Sequence, residues 1–273
     1  MQTFLQDYGE QLQYFLFVFC FVLLLVLERF FPRRHQNKNR LKRWLTNAGM
    51  TISVFLFVSL LPISFAMVSI WTVENGVGLM NNLPFVLPVT LVVLLTLLLR
   101  SLIVYLTHRL NHCVPLFWRF HRVHHMDTEL DVSSAVRFHP LEMVISLSIG
   151  LPLFLLLGLN PWVLLLYEIV DTVIVLFSHS NLKLNVSVNR VLRYFIVTPD
   201  LHKVHHSSFQ PETDSNYSAV FPIWDLLFGT FRTETHDPVE SMRLGNDQTT
   251  DDQAQEFLWL LKSPFINMPR SVS

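Results

Sequence analysis

The stretch HRLNHCVPLFWRFHRVHH, residues 108–125, decides how this chain folds. It closes a long apolar run and carries His108, His112, His121, His124 and His125. His108 and His112 are four residues apart, so on a helix they stack on one face at the end of the apolar segment and reach one ion together. His121 precedes His124 and His125 by three and four residues, which crowds three imidazoles toward one sector. The pattern returns as HKVHH at residues 202–206, with His202, His205 and His206. Single histidines follow in RFHP (His139) and SHSN (His179). These ten candidates leave only His35 and His236 of the 12 histidines, and both read as solvated or hydrogen-bonded surface residues.

Converging imidazoles repel one another when protonated and are costly to bury without partners, whereas a cation uses their lone pairs directly. Zinc takes about four ligands and an octahedral metal about six, so eight clustered imidazoles imply two ions. No HExxH motif, thiolate pair or carboxylate lies inside a cluster, which disfavours a zinc protease or a deaminase-type zinc site. Neutral nitrogen ligands suit iron, copper, nickel or zinc. Cys113 adjoins His112 but points one residue step away, and with Cys20 far off in an apolar run it forms no metal module or disulfide framework.

Around this motif the chain is apolar. Of 273 residues, 51% are hydrophobic and 15% charged, 23 are Phe, and mean hydropathy is +0.39. That excludes a disordered chain and argues against a soluble enzyme. The 20 Lys and Arg nearly balance 21 Asp and Glu, so no basic surface calls for nucleic acid. Residues 11–27, 44–73 and 75–99 lack charge and are each expected to be one membrane span. Residues 143–177 are broken by Gly158, Asn160 and Pro161 and are expected to form a short helical hairpin. The sequence before residue 11 has no basic region, and no small-residue cleavage site follows, so the first run reads as a span rather than a signal peptide.

The link between the first two runs carries Arg29, Arg33, Arg34, Lys38, Arg40, Lys42 and Arg43, which places it in the cytoplasm and the histidine segments with it. The expectation is an all-α integral membrane bundle: three long spans, a short hairpin, and a cytoplasmic helical cap holding a histidine-rich dimetal site. One integrated domain covers 1–273, mainly transmembrane over 1–107, catalytic over 108–236 and ending in a tail at 237–273. An apolar piece at 257–261 is expected at the membrane interface. Glu168 and Asp171, inside the hairpin, are expected to hydrogen-bond metal-bound imidazoles. Asp127, Asp131, Glu142 and Asp200 lie near the clusters and are expected either to do the same or to be solvated at the surface, and Arg100 to snorkel or pair with a carboxylate.

HRLNHCVPLFWRFHRVHH, AVRFHPLE, FSHSN, TPDLHKVHH and NYSAVFPIWDLLFGTF together resemble the fatty acid hydroxylase superfamily, also called the sterol desaturase family. The chain is most similar to its bacterial sterol-desaturase-like branch, related to the alkylglycerol monooxygenases. The resemblance covers residues 108–231. It implies a membrane-bound, non-haem di-iron oxygenase that hydroxylates or desaturates a lipid with dioxygen and electrons, with zinc able to replace iron in purified protein. By motif, His108 and His112, then His121, His124 and His125, then His202, His205 and His206 supply the metal ligands, His179 adds one, and His139 matches the RFHP element. In a bacterium the location is the inner membrane. No GxGxxG, Walker or haem-binding sequence is present, so a separate reductase, ferredoxin or cytochrome is expected to deliver the electrons. The alternatives are a membrane transporter or sensor for zinc or nickel, and a zinc-dependent lipid hydrolase. The hydrolase is disfavoured by the missing carboxylate base, and the transporter because its ligands belong near the bilayer midplane.

Overall fold

A computed structural model describes residues 2–36, 40–246 and 248–268; Lys38 therefore lies outside the described residues. Among the described residues all regular structure is helical, with two isolated β-bridges, Pro32 to Leu182 and Ser207 to Leu244. Three helices are long and apolar enough to cross a membrane, over Asp7–Phe30, Val89–Cys113 and Pro161–His179. The molecule is an all-α membrane bundle with a polar cap.

Helix α1 (Gln2–Phe30) leaves Phe15, Val18, Phe19, Val22 and Val26 exposed, a face that only lipid tails would cover favourably. The expected second span divides. Residues 44–73 fall into α2 (Arg40–Ser59) and α3 (Phe65–Glu74), neither of which is a candidate span. Pro62 has no N–H to continue the ladder, and the Ser64 hydroxyl caps α3 by accepting from Met67 N at 3.2 Å. Buried Arg43 and Asn47 also anchor the first half of α2 in the cap.

The third expected span is shifted along the chain. Residues 75–88 are irregular apart from one short turn of helix, with Gly76 and Gly78 at positive φ and two prolines. Helix α4 (Val89–Cys113) then runs through Arg100 to the histidines. Pro115 starts α5 (Pro115–His125) at its first turn, where the missing N–H costs nothing. The hairpin forms as expected but unequally. Helix α6 (Glu142–Leu157) has 16 residues and ends on Gly158 in the left-handed region, φ 65°. Asn160 caps α7 (Pro161–His179), which has 19 residues and is a full-length candidate span. Helices α8 (Val186–Leu192) and α9 (Pro199–His205) belong to the cap.

Three contacts fix direction. Gln13 Nε2 donates to Thr172 Oγ1 at 3.2 Å, and further along both chains Asn181 N donates to Glu28 Oε1 at 2.7 Å, so α1 and α7 run the same way. Arg100 meets Glu168 mid-helix while His108 and His179, near the ends of their helices, line one cavity, so α4 runs with them. The three long helices therefore all finish at the cap.

The apolar piece at 257–261 is part of the helix Phe257–Lys262, which buries Leu260 against Met50, Val123 and Met126 and leaves Leu258 exposed. The adjoining segment is tied in by Arg122, which donates to Ser263, Ile266 and Met268 carbonyls at 2.5, 3.0 and 3.2 Å.

Candidate metal centre

Four helices deliver the imidazoles. The last turns of α4, α5, α7 and α9 hold His112, His124 and His125, His179, and His205, and His206 caps α9. Helix α9 forms where it does because Thr198 caps it, accepting from Leu201 N, and Pro199 occupies its first turn. Nine of the ten candidate histidines gather into two groups: His108, His112, His121, His125 and His205 in one, His124, His179, His202 and His206 in the other. All are buried except His108, which is half-buried.

Each HxxHH motif divides between the groups rather than serving one ion. His121 and His125, four apart on α5, join the five-histidine group, and His124 turns to the other. On α9 the division is reversed, with His202 and His206 in the four-histidine group and His205 in the first. The motif thus works as a two-ended bridge.

The tautomers are set by oxygen acceptors. His108 Nδ1–H donates to Tyr217 O and His205 Nδ1–H to Ser215 O, both at 2.7 Å. His179 Nδ1–H donates to Val175 O at 2.8 Å and His124 Nδ1–H to Arg137 O at 3.2 Å. Carbonyls only accept, so in these four rings Nε2 carries a bare lone pair. Yet His108 Nε2 faces His205 Nε2 at 3.0 Å, and His124 Nε2 faces His179 Nε2 at 3.2 Å. Two lone pairs at that distance repel, and a cation between them turns the repulsion into two bonds. Nitrogens each about 2.1 Å from one ion, at a right angle, lie about 3.0 Å apart, so the spacing suits a metal. His125 adds a second sign, since both of its ring nitrogens are buried without a hydrogen-bond partner. The residues fit two metal ions.

Outer partners distinguish the groups. Glu142 Oε1 accepts from His121 Nδ1 at 2.7 Å, and Asp214 Oδ1 lies 3.2 Å from His112 Nδ1. Both carboxylates serve the five-histidine group. The loop that carries the Ser215 and Tyr217 carbonyls is itself held: Asp225 accepts from Tyr217 N, Ser218 N and Thr230 Oγ1 at 2.8, 3.0 and 2.7 Å. Asn216 takes φ 53°, a left-handed position that Asn tolerates, and its side chain bonds Leu201 O and Arg232. Buried Lys203 donates to Ser180 O at 2.7 Å; burial brings its pKa down to about 8.

Several expectations are corrected here. His139 stands outside both groups: Leu141 N donates to its Nδ1 at 3.1 Å and its Nε2–H donates to Leu261 O at 3.2 Å, leaving no free lone pair. Glu168 pairs with Arg100 and Asp171 sits beside that pair, so neither touches an imidazole. Of the other acids, Glu142 does hold an imidazole, whereas Asp127 and Asp131 bind Arg43 and Asp200 binds Arg33. Asp214, Asp225 and Asn216 were missed. The only sequence signal for them was their place in and just before the NYSAVFPIWD segment.

Beside the imidazoles opens a cavity of about 440 Å³. His108, His121, His124, His179 and His202 line one end, and Phe17, Phe65, Ile103, Val104, Val175 and Leu176 form apolar walls.

Burial sets the protonation behaviour. It drives His124, His125, His202 and His206 well below the ordinary imidazole range and His205 down to about 3, with neighbouring imidazoles adding to the effect. The folded chain thus refuses protons that the unfolded chain accepts below about pH 6.5, so stability is full above that pH and falls beneath it. Each such imidazole contributes about 1.4 kcal/mol per pH unit. Metal-stripped protein in detergent is expected to melt at progressively lower temperature from pH 7 to 5 and to change little from 7.5 to 8.5. A flat profile across pH 7 to 5 would mean that the imidazoles take up protons alike in the folded and unfolded chains, so that burial does not depress them.

A bundle of membrane helices that ends in two all-histidine groups defines a membrane protein of the poly-histidine metal-site class. Residues 93–230 match the fatty acid hydroxylase model, and the chain belongs to that family. It is 34% identical to ornithine lipid hydroxylase OlsE of Rhizobium tropici over 186 residues, 67% of this chain and 53% of that one. It is 28% identical to alkylglycerol monooxygenase of Caenorhabditis elegans over 224 residues, 80% and 42% of the two chains. With human cholesterol 25-hydroxylase it shares 28% identity over 144 residues, 52% and 51% of each. The chain thus spans about half the length of these relatives. No solved structure matches it.

Proposed function

We propose that this protein is a membrane-bound, non-haem di-iron oxygenase that hydroxylates a lipid. The observation that carries the reading is the placement of two all-histidine groups at one end of an apolar cavity inside the bundle. The relatives named for ornithine lipid, alkylglycerol and cholesterol support a lipid as the substrate. In the overall reaction a C–H bond becomes C–OH, the second oxygen atom of dioxygen leaves as water, and an external donor supplies two electrons with two protons.

Two iron ions, when bound, supply the activation of dioxygen. His108, His112, His121, His125 and His205 would hold one, and His124, His179, His202 and His206 the other. The remaining residues fix and shield this set. Glu142 fixes the His121 ring and makes it more basic through its Nδ1–H, as Asp214 does for His112. Ile103, Val104, Val175 and Leu176 keep water from the lipid tail. The basic link of Arg33, Arg34, Arg40 and Arg43 supports a cytoplasmic cap and site, open there to a separate reductase, ferredoxin or cytochrome as electron donor. The catalytic segment is 108–236, within a single domain.

The test is mass spectrometry of lipids from membranes with and without active protein, paired with metal analysis. A lipid heavier by one oxygen atom and two ions per chain are expected. A lipid lighter by two hydrogens would make the protein a desaturase, and one ion or none in active protein would reject the dinuclear site.

A further inference from the structure

One end of the cavity lies against the imidazoles; the other holds charges that the metal centre does not use. Arg100 on α4 and Glu168 and Asp171 on α7 sit in the middle of apolar helices, where an ionisable group is expensive and functional by default. Arg100 Nε and Nη2 donate to Glu168 Oε1 at 3.0 and 2.8 Å, and the guanidinium lies over the rings of Phe65, Phe154 and Tyr167. One cation thus meets two carboxylates, and Glu168 takes both of these hydrogen bonds. Asp171 is left over: its Oδ1 is buried with no hydrogen-bond partner, and the Tyr167 hydroxyl nearby is in the same state. Asp171, Thr172 and Arg100 all line the cavity.

Spacing relates the two ends. Arg100 precedes His108 by eight residues on α4, and Asp171 precedes His179 by eight on α7. At 1.5 Å per residue each interval is about 12 Å, and Ile103, Val104, Val175 and Leu176 make the wall between apolar. A plain hydrocarbon tail in this cavity would leave the Asp171 acceptor unsatisfied. A chain with a donor at the right distance would satisfy it while presenting another carbon to the histidines.

Resting on the lipid-oxidation reading, we propose that Asp171, backed by the Arg100–Glu168 pair, is a polar anchor for the substrate. It accepts a hydrogen bond from a hydroxyl, amide N–H or amine carried by the lipid about 12 Å from the carbon presented to the metal centre. A site built to bond such a group rejects the analogue that lacks it far more strongly than an apolar slot distinguishes chain lengths.

Native mass spectrometry of the detergent-solubilised protein tests this without turnover. The probes are methyl octadecanoates bearing one hydroxyl or one amine at successive positions, each competed against plain methyl octadecanoate. Wild type is expected to retain one narrow window of positions at least 10-fold over the plain ester. Asp171→Leu is expected to erase that window, and Asp171→Asn, which keeps an acceptor oxygen, to restore part of it. His35→Ala is the control. No positional preference in wild type, or a preference that survives Asp171→Leu, overturns the anchor. The wild-type ladder stands even where Asp171→Leu does not fold. Oxidised lipid in wild-type membranes is read separately, so a failed anchor and a failed oxygenase are told apart.

Discussion

Alanine at His125 or at His206 is expected to reduce lipid oxidation on the order of 100-fold or more, with membrane insertion intact. Loss of a mere outer partner of a metal ligand costs about 10- to 100-fold, and loss of the ligand itself costs at least as much. The two variants are expected to differ in metal content. His125 belongs to the five-histidine group and His206 to the other, so each variant is expected to lose a different ion and fall from two to one per chain. The four-histidine group has no ligand to spare, and His206→Ala is expected to lose its ion more completely. Insertion depends on the apolar helices and is unaffected. Turnover and metal content per chain, against His35→Ala as control, check this. Near-normal turnover in both variants would remove the catalytic centre and favour metal transport or sensing.

The second large effect lies in the cap. Arg43 is 1% exposed and sits between Asp127, at 2.9 Å, and Asp131, both also buried. Asn47 Nδ2 donates to Asp127 at 3.2 Å, Ser134 Oγ at 2.6 Å, and Trp44 Nε1 to Asp131 at 3.1 Å. Burial alone would raise the Asp127 carboxyl, but Arg43 and Arg137 bring it below the ordinary value, so it stays ionised. Arg43→Met leaves two buried carboxylates without their cation, a loss of roughly 3 to 5 kcal/mol. Thermal unfolding in detergent is expected to show it. Adding Asp127→Asn and Asp131→Asn to Arg43→Met is expected to recover part of the loss, because the uncompensated charge is the main penalty. No recovery would assign the effect to lost packing of the Arg43 side chain.

These effects rest on contacts that the sequence exposes unevenly. The histidine patterns are local, so their helices and their fitness to hold metal could be read from spacing alone. The division of each HxxHH motif could not, since it depends on how α5 and α9 lie against each other, which neither motif encodes. Asp214 reaches His112 across 102 positions, and such pairing leaves no local trace. Residues 44–73 were misread because apolar composition hides a break as small as Pro62 and Ser64. Residues 75–99 were misread because Arg100 looks like the end of a span when its charge is in fact neutralised by Glu168 inside the bundle. His139 shares its residue type with the two groups, and only its two hydrogen bonds show that it ties the 138–141 loop to the C-terminal segment.

Because the long helices share one direction, α4 and α7 bring their C-terminal ends to the imidazoles, and α5 and α9 add theirs. Each helix C-terminus carries about half a negative charge in its peptide dipoles. Neutral imidazoles cannot offset the charge of a metal pair, and the two carboxylates nearby serve one group only. The backbone thus supplies a diffuse counter-charge that no titration removes. Such a centre can remain electron-poor at its ligands and still hold cations firmly as the pH of its surroundings changes.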